Sequence, residues 1–323
     1  CMTKTERLMK AFENEKVDRV PVGFWFHLPE DMELDQECVD AHIDYFHRCN
    51  VDMVKIMCDG YFDYPNSIIS QIKEPEDWFK MIPMGQDHPF ITGQVKRAKE
   101  IVKRLDGEAC AFYNVFCPMS YLRFATSDEL LMNHLRQNPE AVLYAMDVIA
   151  QDAALLSELL IREAGCTGIY YCVQNAEEYR FTAEEYRKYV RPGDLKVLEH
   201  ANRFSDNNIL HCCGWAGDKN RVEVWQDYPA KVINWATFIE DMDLTEGKAF
   251  FGGRCVLGGF DNRPQGVLCS GTKEEVEAYT AALLEKHGTR GVVIGADCTL
   301  PRNIDLNRIS WVVEAVGKYG RGE

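Results

Sequence analysis

The residues best suited to chemistry lie in Ile209-Leu210-His211-Cys212-Cys213-Gly214-Trp215. The apolar lead-in Asn208-Ile209-Leu210 reads as a short buried strand that stops at the glycine. Side chains alternate across a strand, so His211 and Cys213 share one side and Cys212 faces the other. An imidazole and a thiol together at a strand end suit zinc, and a third soft ligand is needed. Cys298 is the best placed, since Val292-Val293-Ile294-Gly295-Ala296-Asp297 before it is another short apolar run. Most buried cysteines only pack, and Cys58, Cys166, Cys172, Cys255 and Cys269 are read that way. Three protein ligands with one position open describe a catalytic zinc site. There the metal acts as a Lewis acid and strips the proton from a bound thiol, making a nucleophile at neutral pH.

These ligands need a frame that brings distant strand ends together. Eight short β-rich runs recur: Pro21–Phe26, Val51–Met57, Cys110–Phe116, Gly168–Val173, Asn208–Cys213, Lys231–Thr237, Ala249–Arg254 and Gly291–Ala296. A stretch able to form helix follows each one. Alternating strands and helices imply a parallel sheet with right-handed crossovers, and eight units in a chain of 323 residues imply an α/β fold, the (β/α)8 TIM barrel. Thr3–Glu15 is expected as a helix before the first strand, Glu37–Asn50 as the helix after it, and Leu306–Tyr319 as the last helix. Capping boxes open helices at Thr182-Ala183-Glu184-Glu185 and Thr272-Lys273-Glu274-Glu275, and Asn138-Pro139 divides the helical stretch Ser127–Ala164. No repeat or linker interrupts the chain, which is read as one domain over residues 1–323.

Reactive groups of such barrels sit at the C-terminal strand ends. Those ends carry Trp25, His27, Asp59, Asn114, Cys117, Gln174, Asn175, His211, Cys213, Asn234, Arg254, Asp261 and Cys298. Trp25, His27, Asn114, Gln174 and Asn234 are candidate substrate contacts. Asp59 is a candidate catalytic base, fourth ligand or substrate clamp, with a helix N-cap as the plainer alternative. Arg254 would bind an anionic substrate group or pair with a carboxylate. Trp25, Phe26 and Phe62 lie near the expected mouth, as pocket lining or as packing.

Composition narrows the partners. With 36 basic and 51 acidic side chains the net charge is −15, which argues against nucleic acid and anionic membrane surfaces. No apolar run reaches membrane-spanning length, and the charged start Thr3-Lys4-Thr5-Glu6-Arg7 does not read as a signal peptide. Thirteen cysteines with no Cys-x-x-Cys pair read as reduced thiols of a cytoplasmic protein.

The chain resembles the uroporphyrinogen decarboxylase superfamily, and within it the zinc-dependent corrinoid (methylcobamide) methyltransferases. The likeness runs through Asp18-Arg19-Val20-Pro21-Val22, His211-Cys212-Cys213-Gly214 and Val232-Ile233-Asn234-Trp235. It continues through Gly258-Gly259-Phe260-Asp261, Gly271-Thr272-Lys273-Glu274-Glu275-Val276 and Gly295-Ala296-Asp297-Cys298-Thr299-Leu300-Pro301. The resemblance implies a (β/α)8 barrel. It also implies zinc held by His-x-Cys and a distant cysteine, which map onto His211, Cys213 and Cys298. Decarboxylases of the family carry arginines after the first strand and a histidine near the last. Here those places read Gly23-Phe24-Trp25-Phe26-His27-Leu28-Pro29 and Asp297-Cys298. The similar cobalamin-independent methionine synthases add a glutamate ligand near Asn234, a poor zinc ligand, which leaves the fourth position to substrate or to Asp59 or His27.

The resemblance thus implies a methyltransferase that moves a methyl group between a small donor or acceptor and a corrinoid (cobalamin) on a partner protein. The chain is read as too short to hold a cobalamin domain as well. Both directions of transfer stay open, as does oligomeric state. A tetrapyrrole decarboxylase, or a non-catalytic zinc or corrinoid binder, is the alternative.

Overall fold

A computed structural model describes residues 1–322. In chain order the elements are α1 (Lys4–Phe12), α2 (Asp35–Cys49), β1 (Met53–Ile56), α3 (Pro89–Leu105), β2 (Cys110–Phe116), α4 (Pro118–Ala125), α5 (Asp128–Gln137), α6 (Pro139–Arg162) and β3 (Gly168–Val173). They continue as α7 (Ala183–Tyr189), α8 (Arg191–Asn202), β4 (Ile209–Cys212), β5 (Val232–Trp235), α9 (Leu244–Phe250), β6 (Cys255–Phe260), α10 (Val267–Ser270), α11 (Lys273–His287), β7 (Val292–Ala296) and α12 (Leu306–Tyr319). The strands form one parallel seven-stranded sheet in sequence order, β1 through β7. Among the described residues no helix is long and apolar enough to cross a membrane.

Two expectations about the strands are corrected. The first run, Pro21–Phe26, is not a regular strand. It makes single parallel bridges, Val22 to Ile294 and Phe26 to Leu300. On β7 the Ile294 amide donates to Pro21 O and the Gly23 amide to Ile294 O, while at β1 the Asp52 amide donates to Val22 O at 2.8 Å. The segment therefore touches both outer strands without forming an eighth. Pro21 has no amide hydrogen to give. A Cβ on Gly295 would meet Gly23 O at 2.5 Å, so this close approach depends on glycine.

The second correction is the seventh run. Ala249–Arg254 is the end of α9 and the turn after it; the strand is Cys255–Phe260. A capping box of Asp243 and Glu246 starts α9, and Gly252 and Gly253, both at positive φ, end the turn. Arg254 consequently lies before β6, where its guanidinium donates to the carbonyls of Gln226, Tyr228, Ala230 and Phe251. It cannot serve a site at the strands' other ends. The expected helix starts at Thr182 and Thr272 and the break at Asn138-Pro139 are where the structure has them.

Alternation along the strands divides the core. Met53, Phe112, Tyr170, Ile209, Val232, Cys255, Leu257 and Val293 form one apolar cluster with Leu8, Ala11 and Phe12 of α1. Their neighbours Val54, Ile56, Tyr113, Tyr171, Leu210, Cys212, Ile233, Val256 and Ile294 belong to a second cluster shared with the helices. The first set lines the inside of the curled sheet. α1 closes the end where the strands start, since Cys110, Ile209, Val232 and Cys255 are the first residues of their strands.

Asp52, fully buried, ties this closed end together. Its oxygens accept from Arg7 Nη1 at 3.0 Å, Arg19 Nη1 and Nη2 at 2.9 and 3.0 Å, and the Val22 amide at 2.8 Å. Asp52→Ala leaves Arg7 with Asp18 alone and Arg19 without its carboxylate beside a buried gap, and is expected to cost about 3–5 kcal/mol. Urea unfolding measures this; a loss below ~1 kcal/mol would mean that Asp52 does not hold the closure.

Candidate metal centre and active-site cavity

Parallel register lines up the central residues. Cys172 of β3 pairs with His211 of β4, and His211 with Asn234 of β5. All three are on the inward-facing parity, as are Tyr170 and Gln174. Cys213 follows β4 directly, its amide donating to Val173 O at 3.0 Å. Cys298 lies two residues past β7, and the Cys213 and Cys298 sulfurs are 3.9 Å apart. One ligand atom each from Cys172, His211 and Cys213 fall within 4.8 Å of one another, and all three residues are buried. Cys298 is not one of that group of three; its sulfur meets Cys213, and His211, Cys213 and Cys298 line one cavity. Cys172, read as packing, stands beside them. Cys212 faces the helices with the outer cluster, as alternation requires.

Hydrogen bonding sets the histidine tautomer. Asn234 donates through Nδ2 to Leu257 O at 2.8 Å and Ala296 O at 3.1 Å. Its Oδ1 is left to accept, from Tyr170 Oη at 2.8 Å and from His211 Nδ1 at 2.5 Å. Carbonyl acceptors fix which end of the amide is nitrogen, so Nδ1 of His211 carries the hydrogen and Nε2 keeps its lone pair. Tyr170 also stacks on the imidazole, centroids 5.1 Å apart. Asn234 is thus not a substrate contact: it is fully buried and orients His211 from behind.

The thiols hold their protons. The neighbouring Cys172 thiol and burial push Cys213 well above the usual thiol range. Cys213 and burial do the same for Cys298, and burial raises Cys172. A divalent cation among them reverses this balance, because a coordinated thiol gives up its proton. The donor set fits zinc: Nε2 of an imidazole held from its far nitrogen, with soft sulfurs beside it. Zinc–sulfur bonds of ~2.3 Å at a tetrahedral angle put sulfurs ~3.8 Å apart, matching the separation of Cys213 and Cys298.

The cluster opens onto a cavity of about 410 Å³, lined in part by Cys172, Gln174, His211, Cys213 and Cys298. Asn114, His27 and Phe62 also line it, as expected; Trp25 and Phe26 do not. Trp25 lies beneath, its ring edge-on to Tyr170 at 5.0 Å in the inner apolar cluster. Asn114 donates to Cys58 Sγ at 3.1 Å, and Gln174 accepts from Ser120 Oγ at 2.6 Å. Asp59 is fully buried, does not line the cavity and caps no helix. Its oxygens accept from the Leu28 amide at 2.8 Å and from His27 Nδ1 at 3.2 Å. Burial alone would raise its carboxyl, but His27 and the Leu28 amide hold it below its ordinary value. Its place is behind His27, whose ring it orients. Cys117 and Asn175 bond to Ser120, and Asp261 pairs with Arg263, so these strand-end residues serve local structure.

The sequence profile described as uroporphyrinogen decarboxylase (URO-D) matches residues 63–319, well over half of the chain. The chain belongs to the uroporphyrinogen decarboxylase family. A relative within reach is the methylcobamide:CoM methyltransferase MtbA of Methanosarcina mazei, 21% identical over 311 residues, covering 88% of this chain and 89% of that protein. Two solved structures share the fold. A methyltransferase from Methanosarcina mazei aligns with a TM-score of 0.74 at 14% identity, covering 99% of each chain. A B12-independent methionine synthase from Shewanella sp. W3-18-1 aligns with a TM-score of 0.58 at 13% identity, covering 93% of this chain and 97% of that one. The match to MtbA supports the corrinoid methyltransferase branch of the family.

If Asn234 sets the ring, Asn234→Ala lowers zinc affinity by about 10–100-fold, while Cys212→Ala leaves it unchanged. Competition titration against a chromogenic chelator reads both. Equal affinity in the Asn234→Ala protein would mean that Tyr170 stacking alone orients the imidazole.

Proposed function

We propose that this chain, working as one domain, is a zinc-dependent methyltransferase that moves a methyl group between a small substrate and the cobalt of a corrinoid on a partner protein. The observation that carries the reading is the convergence of His211, Cys213 and Cys298 at the wall of a cavity, in a chain similar to a methylcobamide:CoM methyltransferase. His211 through Nε2, Cys213 and Cys298 hold the metal, and Cys172 is the neighbouring thiol. Bound zinc supplies a Lewis acid at the substrate's reacting atom, and the corrinoid supplies the second methyl carrier.

The protein's own groups do the positioning. Asn234 and Tyr170 fix the imidazole. His27, held by Asp59, faces the cavity with an orientation that does not depend on substrate. Gln174 and Asn114 present amide groups along the wall. Phe62, Phe116, Phe124 and Trp215 give an apolar surface that excludes water from a methyl group in transit. Trp215 lines the cavity and is half-exposed, which supports a role at the rim toward a partner protein.

The decarboxylase reading finds less support. The cavity lining holds one arginine, Arg302, and its guanidinium is engaged by Leu28 O and Glu33. A substrate with several carboxylates needs more.

The test is spectral. Zinc-loaded protein is mixed with cob(I)alamin and methoxy or methylamine donors, and separately with methylcobalamin and thiols, and the cobalt absorbance is followed. Cobalt methylation in the first set marks demethylation of substrate; demethylation in the second marks thiol methylation. His211→Ala, Cys213→Ala and Cys298→Ala are expected to lose both zinc and turnover, at least ~100-fold, and Cys172→Ala to keep its zinc. A Cys298→Ala protein that keeps zinc while Cys172→Ala loses it moves the third ligand to Cys172. No cobalt change in either set sinks the reading.

A further inference from the structure

Lys55 is a charged residue on the inside of the sheet. It lies on β1 between Met53 and Met57, which both belong to the inner apolar cluster, so alternation sends its side chain inward as well. It is 4% exposed and lines the cavity. Its ammonium has three hydrogens to donate. Among the described residues its partners are the Met57 thioether at 3.4 Å, the face of Tyr170 at 4.8 Å and that of Trp25 at 5.7 Å. None is a good acceptor. The nearby Asp59 has both oxygens committed to His27 and Leu28. Burial draws the ammonium below its ordinary pKa.

The rest of the lining has a matching bias. Among the described residues no aspartate or glutamate lines the cavity, whereas Lys55 and Arg302 do, in a chain of net charge −15. A buried ammonium without an acceptor is costly, and the open side of Lys55 is the cavity. An anion entering there supplies the missing partner with a charge-assisted hydrogen bond. Phe62, Phe116, Phe124 and Trp215 line the same space and would meet the remainder of such a ligand.

We infer that Lys55 is the anion-recognition residue of the cavity and that the substrate carries a carboxylate on an apolar body, the carboxylate seated on Lys55 Nζ. This rests on the cavity being the substrate site of the proposed methyltransferase. It specifies the substrate class: one anionic group, deep in the cavity, with the methyl-bearing atom left to face the metal cluster.

Calorimetry on the zinc-loaded protein tests it with benzoate and its neutral isostere benzamide as probes. Benzoate is expected to bind at least ten-fold more tightly than benzamide. Lys55→Met, which keeps length and apolar volume, is expected to abolish that preference while leaving benzamide binding unchanged. Lys55→Arg is expected to retain it in part. Equal binding of the two probes by the unaltered protein overturns the inference, whether or not the variants fold. So does a benzoate preference that survives in Lys55→Met, most directly if it then vanishes when zinc is removed by a chelator, which would put the anion on the metal. Neither arm uses a corrinoid or a methyl donor. Failure here leaves the methyl-transfer test standing, and failure there leaves this one standing.

Discussion

Asn234 has two hydrogens and one oxygen to share, and the surrounding backbone decides how it shares them. Two carbonyls, of Leu257 and Ala296, take the hydrogens, and what remains is an oxygen facing His211 Nδ1. From that single constraint the imidazole acquires one tautomer, one ring orientation and one free nitrogen. The carbonyls come from β6 and from the last residue of β7, so the amide is gripped only because the sheet has curled. The histidine's chemistry therefore depends on the closure of the whole sheet and not just on its own strand.

The same curling creates an electrostatic tension. Cys172, Cys213 and Cys298 are pressed together away from water, where three thiols cannot readily ionise. A cation resolves the tension by replacing protons with one ion. Lys55, which lines the same cavity and lies near enough to Cys172 and Cys298 to feel their charge, has the opposite need. The two demands, positive charge at the sulfurs and negative charge at Lys55, face into one space of about 410 Å³. A molecule that satisfied Lys55 would lie in the same space as the three sulfurs.

Much of this was legible in the amino-acid order, and where it was not the reasons are physical. Period-two alternation separated His211 and Cys213 from Cys212 without coordinates, and capping boxes marked α7 and α11. The run at Ala249–Phe251 misled because apolar residues ending a short helix look like a buried strand; the capping box at Asp243 and the glycine pair at 252 and 253 were the stronger local signals. Cys172 was passed over although it shares parity with Tyr170 and Gln174, and neighbouring-strand register, which sequence does not carry, is what sets it beside His211. Asp59 follows β1 and Trp25 lies in the bridged segment before it, but rotation decides whether such a side chain meets the cavity or the packing behind it. The regular eighth strand was expected from the run Pro21–Phe26, one of eight that alternate with helical stretches. A segment with proline at its start and a glycine under close approach can touch both outer strands without joining either ladder.

The N-terminal helix has a consequence for the order of events. Leu8, Ala11 and Phe12 stopper the end of the curled sheet where the strands begin, and the inner apolar cluster fills the space above them. The sulfurs are thus separated from that end by packed apolar side chains. For the methyl transfer proposed above, both reactants would then enter from the cavity side, and the one seated deeper would arrive first and depart last.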